Sequence, residues 1–203
     1  MALVVDDLSL SWESAIATRK ALKKFVDEQM ESTDLVAIIE TGAGVGALQQ
    51  FTSDKRALYA AIDHVKWNPV GYGETSAFAG LEPTLLQQRK ALGDASISME
   101  DIQEERSKNN AKDDERASVF ASGTLGALAY VVAGMSELPG RKTVVMFSEG
   151  FRLTQRDDYG LESGGRVASM IKKIIDLANR SSVVIYTVDA RGAQTTAFSP
   201  KDL

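Results

Sequence analysis

The feature that most constrains this chain is a repeated change of hydrophobic period. Compact apolar runs, ALVVD (2–6), DLVAIIET (34–41), ALQQFT (47–52), KTVVMFS (142–148) and SVVIYTVD (182–189), alternate with longer stretches whose apolar residues recur at helical spacing. Alternation of that kind demands βαβ units, and βαβ units build a mostly parallel sheet with helices on its faces. The Gly-rich turn GAGVG (42–46) joins the second and third runs too tightly for a crossover, so those two form an antiparallel hairpin.

The helical stretches are amphipathic. Over 14–30, Ala15, Leu22, Phe25 and Val26 fall on one side, with Lys20, Lys24, Asp27 and Glu28 opposite. A second helix is expected over 54–66, with Leu58, Ala61, Ile62 and Val65 inward and Ser53 as its N-cap. The stretch 117–136 places Phe120, Thr124, Leu128, Val131 and Met135 on one stripe and stops before Pro139-Gly140. Residues 164–180 carry Val167, Met170, Ile171, Ile174 and Ala178 on a broad apolar face, and 68–76 reads as a loop from its Pro and Gly content. The span 81–116 reads as a polar helical insertion, its 100–116 portion nearly all charged or amide. Mixed-sign runs usually keep a helix wet, so a solvated helix is preferred to a docking surface there.

At 203 residues the chain suits one domain, 1–203, with a full core. It has no cysteine, hence neither disulfides nor thiolate metal ligands, and its net charge of −5 disfavours nucleic acid as a partner. There is no polybasic anchor, no signal peptide and no continuous run of about 18 apolar residues, so no direct membrane insertion is expected. The first strand begins immediately after Met1, which leads us to expect an excerpt of a longer protein. The compartment is open; removal of an upstream signal would point outside the cytoplasm.

Ligands of open α/β sheets gather at the carboxyl ends of the strands, where strand order reverses. The segments just past those ends are DDLSLS (6–11), SEG (148–150) and DARG (189–192), and the loop VGYGETS (70–76) returns near the same edge. In the first, Asp7, Ser9 and Ser11 have the spacing D-x-S-x-S; one carboxylate with two hydroxyls is a hard-oxygen set suited to Mg²⁺. Asp6 competes with Asp7, but only Asp7 gives both serines in register.

With these residues in view the chain resembles a von Willebrand factor A domain, most of all the bacterial VWFA-related branch, over essentially its full length. Asp7, Ser9 and Ser11 match the first element of that family's metal-ion-dependent adhesion site. Thr75 in GYGETS matches the second, and Ser148-Glu149-Gly150 stands where the family usually has Thr-Asp-Gly. FTSDKRAL (51–58), GRKTVVMFSEG (140–150) and VVIYTVDARG (183–192) are further family-like phrases. The departure is Glu149, whose extra methylene shifts the carboxylate by about 1.5 Å. The resemblance implies a doubly wound, Rossmann-like sheet of order 3-2-1-4-5 with an antiparallel edge strand. It implies a metal site of Asp7, Ser9, Ser11, Thr75 and Glu149 holding Mg²⁺, or Mn²⁺ or Ca²⁺. The implied function is non-enzymatic recognition or adhesion, in which another protein offers an acidic residue to the metal.

Other readings stay open. Ser9 and Ser11 would serve as helix caps in a metal-free scaffold. Asp6, Asp7, Glu149 and Asp189 would be the acids of a metal-dependent phosphoester hydrolase, although hydroxyls neutralise no charge at a two-metal centre. His64, the one histidine, falls on the polar side of its helix and reads as a surface residue. Trp12 and Trp67 are either packing residues or exposed binding aromatics.

Overall fold

The computed structural model describes residues 1–42, 50–68, 85–94, 96–151, 155–156, 162–163 and 165–192. In chain order its elements are β1 (Ala2–Val5), α1 (Trp12–Glu28), β2 (Ala37–Glu40), α2 (Lys55–His64), α3 (Leu85–Ala91), α4 (Met99–Ser136), β3 (Lys142–Ser148), β4 (Gln155–Arg156), β5 (Glu162–Ser163), α5 (Gly165–Arg180) and β6 (Val183–Asp189). Four of the strands form one all-parallel sheet in the order β2-β1-β3-β6, while β4 and β5 make a two-residue antiparallel ladder. The expected antiparallel third strand falls mostly outside the described residues. What is described there is a single antiparallel bridge, Val36 to Thr52, closed by hydrogen bonds of 3.0 and 2.9 Å.

Strand alternation divides the core between the two faces of the sheet. Ala2, Val4, Ala37, Ile39, Val144, Met146 and Val183 pack with α4 and α5 through Leu125, Leu128, Val132, Met135, Val167, Ile174 and Ala178. Leu3, Val5 and Ile38 face the other way, onto Ala15, Leu22 and Val26 of α1 and Leu58, Ile62 and Val65 near α2. Parallel strands covered on both sides read as continuous apolar runs, which is why these segments looked the way they did.

Helix boundaries follow their caps. α1 starts at Trp12 rather than at 14 because the Ser11 hydroxyl accepts from the Ser14 amide, and it closes at Gln29. α2 is capped by Asp54, one residue after the expected Ser53; the Asp54 carboxylate accepts from the Arg56 amide at 2.9 Å. The run 100–116 is helical, as its polar pattern suggests, and is continuous with 117–136 in one helix, α4. A capping box of Ser98 and Asp101 launches one helix of 38 residues, about 57 Å long. α3 leans on this polar half, the Leu86 amide donating to Glu105 Oε2 at 3.3 Å.

Within α4, Glu115–Ser136 is long and apolar enough by composition to cross a membrane, although no continuous apolar run of that length exists. Its stripe Ala121, Leu125, Leu128, Val132 and Met135 is buried against the sheet, the behaviour of a core helix. Two substitutions weigh the halves of α4. Leu125→Ala should cost about 2–5 kcal/mol in urea unfolding, because it opens a cavity beneath the sheet. Ser98→Ala should cost only about 1 kcal/mol, the loss of one cap.

Candidate metal centre

The chain passes from β1 through α1 to β2 on one side, then returns through α4 to β3 on the other side of β1. Strand order therefore reverses between β1 and β3, and the crevice at their carboxyl ends is the expected ligand position of such a sheet.

The residues that line it follow from the pleat. On the α4 face the inward residues run Ala2, Val4 on β1; Ala37, Ile39 on β2; and Val144, Met146 on β3. The pairing Val4 to Ile39 and Val4 to Met146 is in register. One step further along each row brings Asp6, Thr41 and Ser148 side by side on that face. Facing them from α4 is Thr124, fully buried. Thr124 Oγ1 donates to Asp6 Oδ1 at 2.7 Å, and Ser148 Oγ donates to Asp6 Oδ2 at 2.8 Å. Thr41 Oγ1 lies 3.3 Å from both Asp6 Oδ1 and Asp7 Oδ1, and with one proton it can serve only one of them at a time.

The DDLSLS segment turns tightly beyond β1. The Asp6 amide still bonds to Phe147 O, and the Ser9 amide returns to Asp6 O at 3.0 Å. Ser9 is fully buried, its hydroxyl 3.1 Å from Asp6 O and 3.2 Å from Ser148 Oγ, and it accepts from the Glu149 amide at 3.2 Å. Ser9 is thus a junction between β1 and β3 and caps nothing. Ser11 does cap: its hydroxyl accepts from the Ser14 amide and donates to Ser14 Oγ at 3.0 Å. Glu149 reaches the same point, its Oε1 accepting from the Ser11 amide at 2.8 Å, so the longer side chain spans from β3 to the start of α1.

Asp7 turns aside to the end of β2, where the Gly42 amide donates to its Oδ1 at 2.7 Å. A Cβ at position 42 would stand 2.7 Å from Asp7 Oδ2 and 2.9 Å from Leu8 Cδ2, so only glycine lets the backbone come this close. The expected ligands accordingly divide. Ser9 joins the Asp6–Ser148 cluster, Asp7 stands beside it through Thr41, Ser11 and Glu149 hold each other at the head of α1, and Thr75 lies outside the described residues. Sequence spacing missed Thr41 and Thr124. Thr124 reads as one more residue of an apolar stripe, and the available signal was that a hydroxyl on such a stripe must find a buried acceptor.

Burial lifts Asp6 above the ordinary carboxylate value; the surrounding hydroxyls pull it back, and the charge of Asp7 adds to the rise. Burial also raises Asp7, opposed by the Gly42 amide and Thr41. At the end of β2, Glu40 is raised by its own burial and by Asp7, against His64 and Lys66. Among the described residues no Lys, Arg or His forms an ion pair with Asp6 or Asp7. Two adjacent buried carboxylates without a cation are costly unless protonated or neutralised by a bound ion. Carboxylates and hydroxyls together are a hard-oxygen set, so the residues present fit Mg²⁺, Mn²⁺ or Ca²⁺. The described residues do not assemble a larger acidic centre. Asp189 is bonded to the Arg191 guanidinium at 2.9 and 2.8 Å, and among the described residues no three Asp, Glu, His or Cys side chains converge. His64 is exposed.

Comparison of the chain with models of protein families, with characterised proteins and with solved structures finds no match.

The raised aspartates fix a sign for pH dependence. Their folded proton affinities exceed the unfolded ones, so they stabilise the fold fully below the unfolded value near 3.8, and that contribution is lost as pH rises through the folded values. The lowered carboxylates Asp63, Asp94, Asp101 and Asp189 act below about pH 4 and leave the window above it clear. In chelator, urea unfolding free energy should begin to fall as pH rises above about 4. Glu40 acts in the same sense, and the lowered Met1 amine opposes it only nearer its ordinary value of 8.0. A flat profile would show that the aspartates are not desolvated. Thr124→Val should cost about 1–3 kcal/mol by stripping a buried carboxylate of a donor, and Thr124→Ser should recover most of it.

Proposed function

We propose that this chain is a metal-dependent recognition module, a von Willebrand factor A-like domain that binds another protein through a divalent cation and is not an enzyme. The observation that carries the reading is the buried pair Asp6 and Asp7, ringed by hydroxyls at the point where strand order reverses and, among the described residues, left without a protein cation. The four-stranded parallel sheet is compatible with a Rossmann-like fold. Within the proposal, the Val36–Thr52 bridge begins an antiparallel edge strand that completes the order 3-2-1-4-5.

The family resemblance assigns the cation to Asp7, Ser9, Ser11, Thr75 and Glu149. The hydrogen bonding supports widening that set to Asp6, Thr124 and Ser148, whose oxygens lie in one network with Ser9. The bound Mg²⁺, or Mn²⁺ or Ca²⁺, supplies a positive charge that a partner's Asp or Glu can share. The chain's own part is to hold its carboxylates desolvated, and to offer hydroxyls that orient without neutralising. The hydroxyls add no negative charge, so an incoming acid meets fewer like charges than it would at an all-carboxylate centre.

A second reading, a metal-free scaffold, draws on Ser11 and Glu149, which already satisfy each other and the head of α1.

Calorimetric titration of Mg²⁺ and Mn²⁺ into metal-stripped protein separates the two. One saturable ion, lost in Asp6→Ala or Asp7→Ala, is the expected result. No binding up to millimolar metal would leave the scaffold reading. A phosphoester panel with Mn²⁺ should show no turnover, and turnover abolished by Asp7→Ala would overturn the recognition reading.

A further inference from the structure

We propose that Trp12, set edge-on against Trp67, is the apolar half of the recognition surface, and that it selects a partner segment in which an Asp or Glu adjoins an aromatic or branched aliphatic residue. The inference rests on the metal-dependent reading of the preceding subsection.

Trp12 opens α1 as the residue after Ser11, and it is 59% exposed. Ile16, one turn along the same face, is 45% exposed. The buried side of α1 is Ser14, Ala15, Thr18, Leu22 and Val26, so neither Trp12 nor Ile16 serves the core. Nor does Trp12 serve the start of the helix, where Ser11 is the cap and Glu13 the favourable first-turn acid. The described core leaves this apolar area unused.

The area is nonetheless held in place. Trp67, half-buried beside the α1–α2 core, meets Trp12 in a T-shaped contact with ring centroids 6.2 Å apart and an interplanar angle of 87°. The backbone just before Trp12 is tied to the tip of β3 by the bond from the Ser11 amide to Glu149 Oε1. A rigid, exposed Trp that flanks a polar centre is the common form of an interface anchor, because it offers a large contact area at low conformational cost.

The edge itself chooses the partner's chemistry. Asp6, Asp7, Glu40, Glu149 and Glu13 outnumber Lys66 and Arg191 among the described residues at this edge, so a lone carboxylate is attracted chiefly through the cation, and a second copy of this chain would bring like charge. A neighbouring apolar side chain on the partner gains the Trp12 surface whatever the charge.

The test uses three blocked tetrapeptides, Gly-Asp-Phe-Gly, Gly-Asp-Gly-Gly and Gly-Asn-Phe-Gly, titrated in saturating Mg²⁺ with calorimetric readout. The Asp-Phe peptide should bind about tenfold tighter than the Asp-Gly peptide, equivalent to about 1.4 kcal/mol, and the Asn-Phe peptide should not bind. Trp12→Ala should erase the tenfold advantage while leaving Mg²⁺ affinity unchanged, and Trp12→Phe should keep most of it. Equal affinity of the two Asp peptides, an advantage that survives in Trp12→Ala, or no peptide binding while Mg²⁺ still binds would each overturn this inference and leave the metal reading standing. Absence of Mg²⁺ binding would overturn both.

Discussion

A carboxylate with no exposure to water, held at the end of a central strand by hydroxyls, is the interaction on which the site and much of its surroundings depend. Asp6 receives Thr124 from α4 and Ser148 from β3, with Thr41 of the segment after β2 within reach. Each donor comes from a different part of the chain, so the carboxylate can be satisfied only when the sheet, its register and the long helix are all in place. The same arrangement stores a tension. Hydroxyls lower the cost of burying the charge, but they bring no positive charge of their own, and Asp7 adds a second acid next door.

The fold makes this arrangement cheap to build. Two apolar layers fix β1 between β2 and β3, and the pleat then delivers the next inward residue of each strand to one place. No special loop is needed for Asp6, Thr41 or Ser148; each continues an alternation begun by the core. Specific backbone chemistry enters at Gly42, whose missing Cβ lets its amide reach Asp7, and in the turn from Asp6 to Ser9.

The architecture was legible because it rests on period. KTVVMFS at 142–148 is β3 to the residue, and the alternation of apolar runs with amphipathic stretches fixed the class of the sheet. The polar run 100–116 was harder, since continuity of a helix depends on its cap at Ser98 and on backbone hydrogen bonds more than on hydrophobic pattern. The site was only half legible. Spacing picks Asp7 because D-x-S-x-S is a linear pattern, whereas Asp6 gains its hydroxyls from alternation and from a helix 118 residues away in sequence. Thr124 hid for the same reason: on a helical wheel it sits among Leu128, Val131 and Met135, and nothing local distinguishes a core threonine from a donor to a distant acid.

The most direct measurement compares the unfolding free energies of wild type and Asp6→Asn, each in chelator and in saturating Mg²⁺. If Asp6 is a buried charge awaiting a cation, wild type gains about 2.7 kcal/mol at a metal concentration a hundredfold above its dissociation constant. Asp6→Asn should be at least as stable as wild type in chelator and should gain nothing from Mg²⁺. A variant several kcal/mol less stable in chelator, beside a wild type indifferent to Mg²⁺, would contradict the account and leave Asp6 as a purely structural hub.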